Sequence, residues 1–333
     1  MKKLAIIGGG GWGTALACVL ARRFEVAHLW VYEPDLAGRI EATRVNDRFL
    51  PGVMLPPNVR AGDSLEGALA GADVVLSVMP SHVVRPLYTR IAPLLESPSC
   101  LVSATKGLEE GTLLRSSQII AEVTRNRFPI AVLSGPTFAR DVAAGSPTAV
   151  VSASENPETV RRIQEVFSGP TFRVYGSLDP IGVEIGGALK NVIAIGAGIS
   201  DGLGLGHNAI AALITRGLAE LTRLAVALGA KAETLAGLAG LGDLVLTCTG
   251  NLSRNRQVGI KLASGLQLEA ILASMTTVAE GVKTTLVAME LARRHGVDLP
   301  IAAEMEAVIH GGRSPHEAIR RLMSRSLRSE MDE

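Results

Sequence analysis

The chain has 333 residues, 47% of them hydrophobic, enough for two domains with sizeable cores. Its 33 lysines and arginines nearly balance 32 acidic residues, and a formal net charge of +1 excludes a general pull toward nucleic acid or an acidic membrane. Cys18, Cys100 and Cys248 lack metal-ligand spacing and cannot all pair, so they read as small buried hydrophobes in a reducing cytoplasm, with no metal.

The N-terminal MKKLAIIGGG has too few apolar residues before its glycines for an export signal. Leu4 to Ile7 instead predicts a strand that enters a glycine turn and then a helical pattern from Thr14 to Arg23. The G-x-G-x-x-G spacing falls on Gly8, Gly10 and Gly13. There the missing β-carbons allow the tight turn, the close approach of a pyrophosphate, and close packing of helix on strand. A second strand, Ala27 to Val31, ends near Glu33, where a dinucleotide's ribose would lie. A glycine-rich turn with no ligand, followed by an ordinary surface acid, is the alternative.

Further strands are expected at Val74 to Val78, Cys100 to Val102 and Ile130 to Leu133, with helices such as Ser64 to Leu69 and His82 to Leu95 between them. This alternation predicts a parallel sheet with crossover helices. Its strand ends lead into Met79-Pro80-Ser81-His82, Ala104-Thr105-Lys106-Gly107 and Ser134-Gly135-Pro136-Thr137-Phe138, the edge at which open parallel sheets bind ligands. Lys106 can bond an anion or a carbonyl oxygen from such a loop, or be a solvated lysine. His82 reads as a helix-start residue more than as a base. Two more strands, Thr148 to Val151 and Thr171 to Tyr175, flank a helix opened by Asn156 and Pro157 and extend the same sheet.

After Asp179-Pro180 the patterns become long and helical: Ile181 to Ile199, Ala209 to Leu228, Val282 to His295 and Ile301 to Ile309. The expected division is therefore 1–179 and 180–333, the second part all-helical. The first of these helices is almost wholly apolar apart from Lys190-Asn191 in its middle. Burying an ammonium among Ile185, Ala188, Val192 and Ile193 demands partners and favours a role in proton transfer, unless the lysine snorkels to water. Glu184, Lys190 and the glycines of the run argue against a membrane span. Two loops are expected to carry polar groups beyond a core's needs. Gly240-Leu241-Gly242-Asp243 allows close backbone approach beside a carboxylate, and Asn251-Leu252-Ser253-Arg254-Asn255-Arg256 offers a hydroxyl, a guanidinium and an amide that together can chelate a phosphate. A solvated basic turn is the plain alternative for the second.

The segments Gly8 to Ala17, Ser134 to Ala139, Gly186 to Gly198, Gly240 to Thr249 and Ser253 to Arg256 occur in one order that closely resembles the bacterial NAD(P)-dependent glycerol-3-phosphate dehydrogenases. The similarity covers nearly the whole chain. GGALKNVIAIGAGISDGLG and GLGDLVLTC carry it with far more specificity than the glycine turn. The fold implied is an α/β N-terminal Rossmann-type doubly wound sheet followed by an all-α C-terminal domain. By this resemblance Lys190 is the general acid/base, and Lys106, Gly135, Thr137, Asp243, Ser253, Arg254 and Asn255 contact substrate. Gly11, Trp12, Tyr32, Lys106, Ala139, Arg254, Val278 and Glu280 would contact the cofactor, beside Gly8, Gly10, Gly13 and Glu33 of the motif reading. Two departures bear on cofactor choice: Gly11 stands where the family often has serine, and Tyr32-Glu33 where a basic residue is frequent.

The implied reaction is reversible hydride transfer from NADH or NADPH to C2 of dihydroxyacetone phosphate, giving sn-glycerol 3-phosphate for phospholipid synthesis. Lys190 would stabilise and protonate the carbonyl oxygen, with Asp243 and Lys106 orienting lysine and substrate. Glu33 can accept bonds from a ribose 2′-hydroxyl and would repel a 2′-phosphate, which leans the choice to NAD. A cytoplasmic location and a homodimer are compatible with the resemblance. Two other classes fit the residues less well. A 2-hydroxy acid dehydrogenase would need a His-Asp relay, yet only His82 stands at a strand-end motif. A non-catalytic dinucleotide sensor would have no use for Lys190, Asp243 and Arg254 in three separate segments.

Overall fold

The computed structural model describes residues 1–275, 279–327 and 329–330. Two compact units are present: 1–106 with 114–183, and 107–113 with 184–333. The short segment 107–113 belongs with the helical unit, where Glu110 pairs with Lys283 at 2.9 Å.

The first unit is built on one eight-stranded sheet. Its strands are β1 (Lys3–Ile7), β2 (Val26–Trp30), β3 (Val59–Gly62), β4 (Val74–Ser77), β5 (Cys100–Ser103), β6 (Ile130–Ser134), β7 (Thr148–Ala153) and β8 (Phe172–Ser177). They lie in the order β3-β2-β1-β4-β5-β6-β7-β8. The first six are parallel neighbours, as are β7 and β8, but β6 and β7 run antiparallel. The expected parallel sheet is thus present, and the two strands that extend it join at one antiparallel seam. The link from β6 to β7 carries only the five-residue helix Ala139–Ala143, which packs on the helix Gly11–Leu20 and does not build a crossover unit. β3 went unrecognised in the sequence, because VRAG is an edge strand with no apolar run.

Alternate residues of the strands serve opposite faces. Leu4, Ile6, Leu29, Leu76 and Val102 join one core with Leu16 and Leu20, whereas Ala5, Ile7, Val75 and Leu101 join another with Leu87, Tyr88, Ile91 and Ile120. Side chains on successive strand residues point oppositely, so helices cover both faces and the sheet is doubly wound. Strand order reverses between β1 and β4, and that switch point lies where the glycine turn begins.

Asp179 accepts the Gly182 N–H at 2.9 Å near the start of the helix Pro180–Gly202. That helix is long and apolar enough to cross a membrane, yet 94% of its most apolar window is buried inside the protein. Its glycines admit neighbouring backbones. A β-carbon on Gly198 would lie 2.0 Å from the Arg256 carbonyl oxygen, and one on Gly259 would lie 2.0 Å from that of Ile195. The helices Pro180–Gly202 and Arg254–Ala263 therefore cross at van der Waals contact of main chains, as only small residues permit.

Candidate active site

In the first unit the turn after β1 is shaped by what its glycines lack. Gly8 has φ +128°, and a β-carbon there would lie 2.0 Å from the Val78 carbonyl oxygen beyond β4. One on Gly13 would lie 1.9 Å from the Gly8 carbonyl oxygen, so the helix Gly11–Leu20 can seat on the turn only with glycine there. Gly10 is different: nothing lies within 4 Å of where its β-carbon would be. Thr14 returns the first helical bond, to the Gly10 carbonyl at 2.9 Å, which leaves the N–H groups of residues 11–13 without intrahelical acceptors. The Trp12 indole N–H is buried with no hydrogen-bond partner. Open space at Gly10, a helix N-terminus and an unused donor fit the pyrophosphate of a dinucleotide.

Tyr32 and Glu33 follow β2, Tyr32 exposed with its ring edge-on to Trp30 and Glu33 serving as N-cap residue of the helix Pro34–Thr43. At the ends of β5 and β6 the structure brings three residues together: Lys106 Nζ donates to the Gly135 carbonyl at 2.9 Å and to Thr137 Oγ1 at 3.3 Å. Gly135, at φ +141°, sits against the Val150 backbone, where any side chain would be strained. Ala139 opens its short helix beside the glycine turn; its β-carbon is 3.9 Å from where one on Gly11 would stand. His82 lies exposed in a single 3-10 turn, Ser81–Val83, at the start of the following helix, the structural place its sequence suggested.

In the second unit Lys190 is 6% and Asp243 0% exposed, and the Lys190 ammonium donates to Asp243 Oδ1. The lysine does not snorkel to water. Gly240-Leu241-Gly242-Asp243 is not a loop, contrary to expectation: Leu238–Gly242 forms a π-helical turn that runs into the helix Asp243–Thr249. The glycine at 240 is needed because a β-carbon there would lie 2.0 Å from the Leu235 carbonyl oxygen. Burial drives the Cys248 thiol up to about 12 although Lys190 and Arg256 oppose it, so this neighbour of the ion pair is a neutral filler.

The second expected loop is also mostly helix. Ser253 Oγ accepts the Arg256 N–H at 3.2 Å, a serine N-cap, and Arg254 is the exposed first residue of Arg254–Ala263. Asn255 is buried behind it. Its amide donates to Asn191 Oδ1 at 2.8 Å and accepts the Gly281 N–H at 3.0 Å, tying three helices together and leaving one amide hydrogen over. Arg256 pairs with Asp201 at 2.7 Å. Glu280 is the first residue of the helix Glu280–His295; Val278 lies outside the described residues.

The family model described as NAD-dependent glycerol-3-phosphate dehydrogenase N-terminus matches residues 3–160, and its C-terminus counterpart matches residues 179–320. The chain belongs to this dehydrogenase family. Among its relatives, the glycerol-3-phosphate dehydrogenase [NAD(P)+] of Koribacter versatilis is 55% identical over 99% of both chains. That of Geobacter sulfurreducens is 52% identical over 99% of both. The crystal structure of glycerol-3-phosphate dehydrogenase from Coxiella burnetii superposes with a TM-score of 0.93 at 42% identity, covering 97% of this chain and 99% of that one. A doubly wound sheet followed by helices is the architecture of the family.

Sequence reasoning about this family member missed Asn46. Its side chain is fully buried and donates to the Gly9 carbonyl and to Thr14 Oγ1, both at 2.8 Å, so it braces the glycine turn. No local signal marks it, since both partners lie more than 30 residues away.

Proposed function

We propose that this chain is an NAD(P)-dependent glycerol-3-phosphate dehydrogenase, reducing dihydroxyacetone phosphate reversibly to sn-glycerol 3-phosphate for phospholipid synthesis. Residues 1–179 bind the dinucleotide and 180–333 form the helical substrate-binding and catalytic part. The observation that carries the reading is the buried Lys190–Asp243 pair on two helices of a family member. A core has no use for an ammonium held at 6% exposure, since burying a charge is unfavourable even when paired.

The nicotinamide supplies the hydride when bound. Lys190 holds its proton toward the C2 oxygen of the substrate, stabilises the negative charge that develops there, and gives up the proton; in the reverse direction it takes the proton back. Asp243 fixes the direction of the ammonium. Arg254, at the N-terminus of its helix, presents forked donors to the phosphate, with Ser253, the remaining amide hydrogen of Asn255, Thr137 and Lys106 as further substrate contacts. Binding the phosphate, remote from the reacting carbon, places C2 for the hydride. On the cofactor, Gly8 and Gly10 to Gly13 meet the pyrophosphate, Tyr32 and Glu33 the adenosine ribose, and Lys106, Ala139, Arg254, Val278 and Glu280 are the further contacts. Three free cysteines, all buried, suit a reducing cytoplasm.

The test follows oxidation of NADH and NADPH by their ultraviolet absorbance in the presence of dihydroxyacetone phosphate, with chiral analysis of the product. Turnover of 2-oxo acids in place of this substrate, or none with either cofactor, would overturn the reading.

A further inference from the structure

Glu33, the acid expected beside the adenosine ribose, carries a partner that its own turn does not provide. Arg48 Nη1 lies 3.3 Å from Glu33 Oε1, and its guanidinium carbon stands 5.0 Å from the centroid of the Phe49 ring. The position of Arg48 is set by its neighbours. Asn46 is bonded through its amide to Gly9 and Thr14 and accepts the Phe49 N–H at 3.1 Å. The Phe49 carbonyl oxygen reaches to 2.8 Å from where a β-carbon on Gly11 would stand. Asn46 and Phe49, which bracket Arg48, thus hold this segment against the glycine turn, and the guanidinium is delivered to the ribose end from a segment 15 residues beyond Glu33.

We propose that Arg48 is a specificity-determining residue for the dinucleotide, the group that receives a 2′-phosphate, and that its ion pair with Glu33 sets the balance between NAD and NADP. This rests on the dinucleotide-binding reading of the first unit. With NAD, Glu33 accepts from the ribose hydroxyls and Arg48 neutralises it. With NADP, the phosphate competes with Glu33 for Arg48. The side chains are 52% and 36% exposed, so the pair sits in water and contributes little. A doubly charged phosphate meeting a forked guanidinium is the stronger contact and wins the arginine. Other arginines close in sequence are engaged elsewhere. Arg39 holds Asp47 through two nitrogens at 3.3 Å, and Arg44 donates to the Val59 and Pro56 carbonyls. The arrangement predicts an enzyme that uses both cofactors, with Glu33 as the brake on NADP.

Two readouts test this in the full-length protein. Calorimetric titration with adenosine 2′,5′-bisphosphate and with 5′-AMP reads the 2′-phosphate contact without turnover, and kcat/KM for NADPH and NADH reads its effect in catalysis. Arg48→Gln should weaken the bisphosphate and lower kcat/KM for NADPH by about tenfold, while 5′-AMP and NADH change less than about threefold. Glu33→Gln should move the NADPH value up by a similar factor. Equal changes for both nucleotides, or none in Arg48→Gln, would overturn the assignment of Arg48 alone. Wild-type protein that binds neither nucleotide would overturn the dinucleotide reading, and this proposal with it.

Discussion

The Lys190 ammonium and the Asp243 carboxylate meet inside the helical unit, contributed by two different helices and almost wholly removed from water. Each depends on the other, because either charge left alone in that setting is strongly unfavourable. Lys190→Ala should lower kcat at least ~10²-fold, by loss of both charge stabilisation and proton donation, with the dinucleotide Kd changed little. It should also destabilise the protein by about 3–5 kcal/mol, because a buried carboxylate loses the ammonium it is paired with. The double variant Lys190→Ala/Asp243→Ala removes the buried carboxylate as well: stability in urea should return in part and activity should not. Near-wild-type kcat in the single variant would remove Lys190 from the chemistry.

Asn255 links Asn191 and Gly281 through one amide. Asn255→Ala strands a buried acceptor and a buried N–H, each worth roughly 1–3 kcal/mol when left unpaired. Urea denaturation should show a loss of about that size or more. Asn255→Asp keeps the acceptor for Gly281 and sets a carboxylate against the Asn191 carbonyl, so it should be no better. If both variants match wild type in stability, the amide is not the tie the geometry indicates.

How much of this was legible in the chain depends on how local each signal is. The first sheet announced itself through short apolar runs ended by glycine or polar turns, and the run around Lys190 marked its own importance because a charge stood alone among aliphatics. The edge strand Val59–Gly62 did not, since a strand paired on one side has no need of an apolar run, and Arg60 in it faces solvent. Glycines at 240 and 242 and the polar stretch 251–256 looked like loops. Glycine reads as a breaker in sequence, yet here it serves close approach of one helical turn to another, and the Ser-Arg-Asn-Arg stretch is a cap with the first turn it starts. Asn46 and Arg48 could not be found this way at all, because their meaning lies in contacts to Gly9, Thr14 and Glu33 that only the folded chain creates.

Arg254 stands exposed at the N-terminus of its helix, where both the guanidinium and the helix favour an anion. Arg254→Ala should reduce kcat/KM for dihydroxyacetone phosphate tenfold or more, since a charge-assisted hydrogen bond contributes roughly 1.5–3 kcal/mol. Lysine should restore only part, keeping the charge and losing the fork. Unphosphorylated dihydroxyacetone is the control. It should be a poor substrate that the substitution affects much less; equal losses on both substrates would make Arg254 a cofactor clamp, leaving Lys106 and Asn255 for the phosphate.

The last expectation concerns pH and a carboxyl outside the site. Glu220, on the helix Gly206–Ala227, is 3% exposed and accepts the Ile301 and Ala302 N–H groups at 2.7 and 3.2 Å, capping the helix Pro300–Ile309, whose own N-cap residue, Leu299, provides no side-chain bond. Burial raises its pKa to about 7, against the pull of those two donors and of Arg223, with Asp298 adding to the rise. Because the folded value lies above the unfolded one near 4.5, the folded chain keeps a proton between those limits that the unfolded chain has lost. The stability this group contributes is therefore full below about pH 4.5 and falls away as pH rises through about 7, by on the order of 3 kcal/mol at most. Glu220→Gln cannot ionise and is free of that slope. Urea denaturation of both proteins from pH 5 to pH 8 should show the glutamine variant gaining steadily on wild type across the window, even while other carboxylates shape both curves alike. A difference between the two that does not change with pH would mean that Glu220 is already ionised at pH 5, held so by the two backbone donors at the helix end.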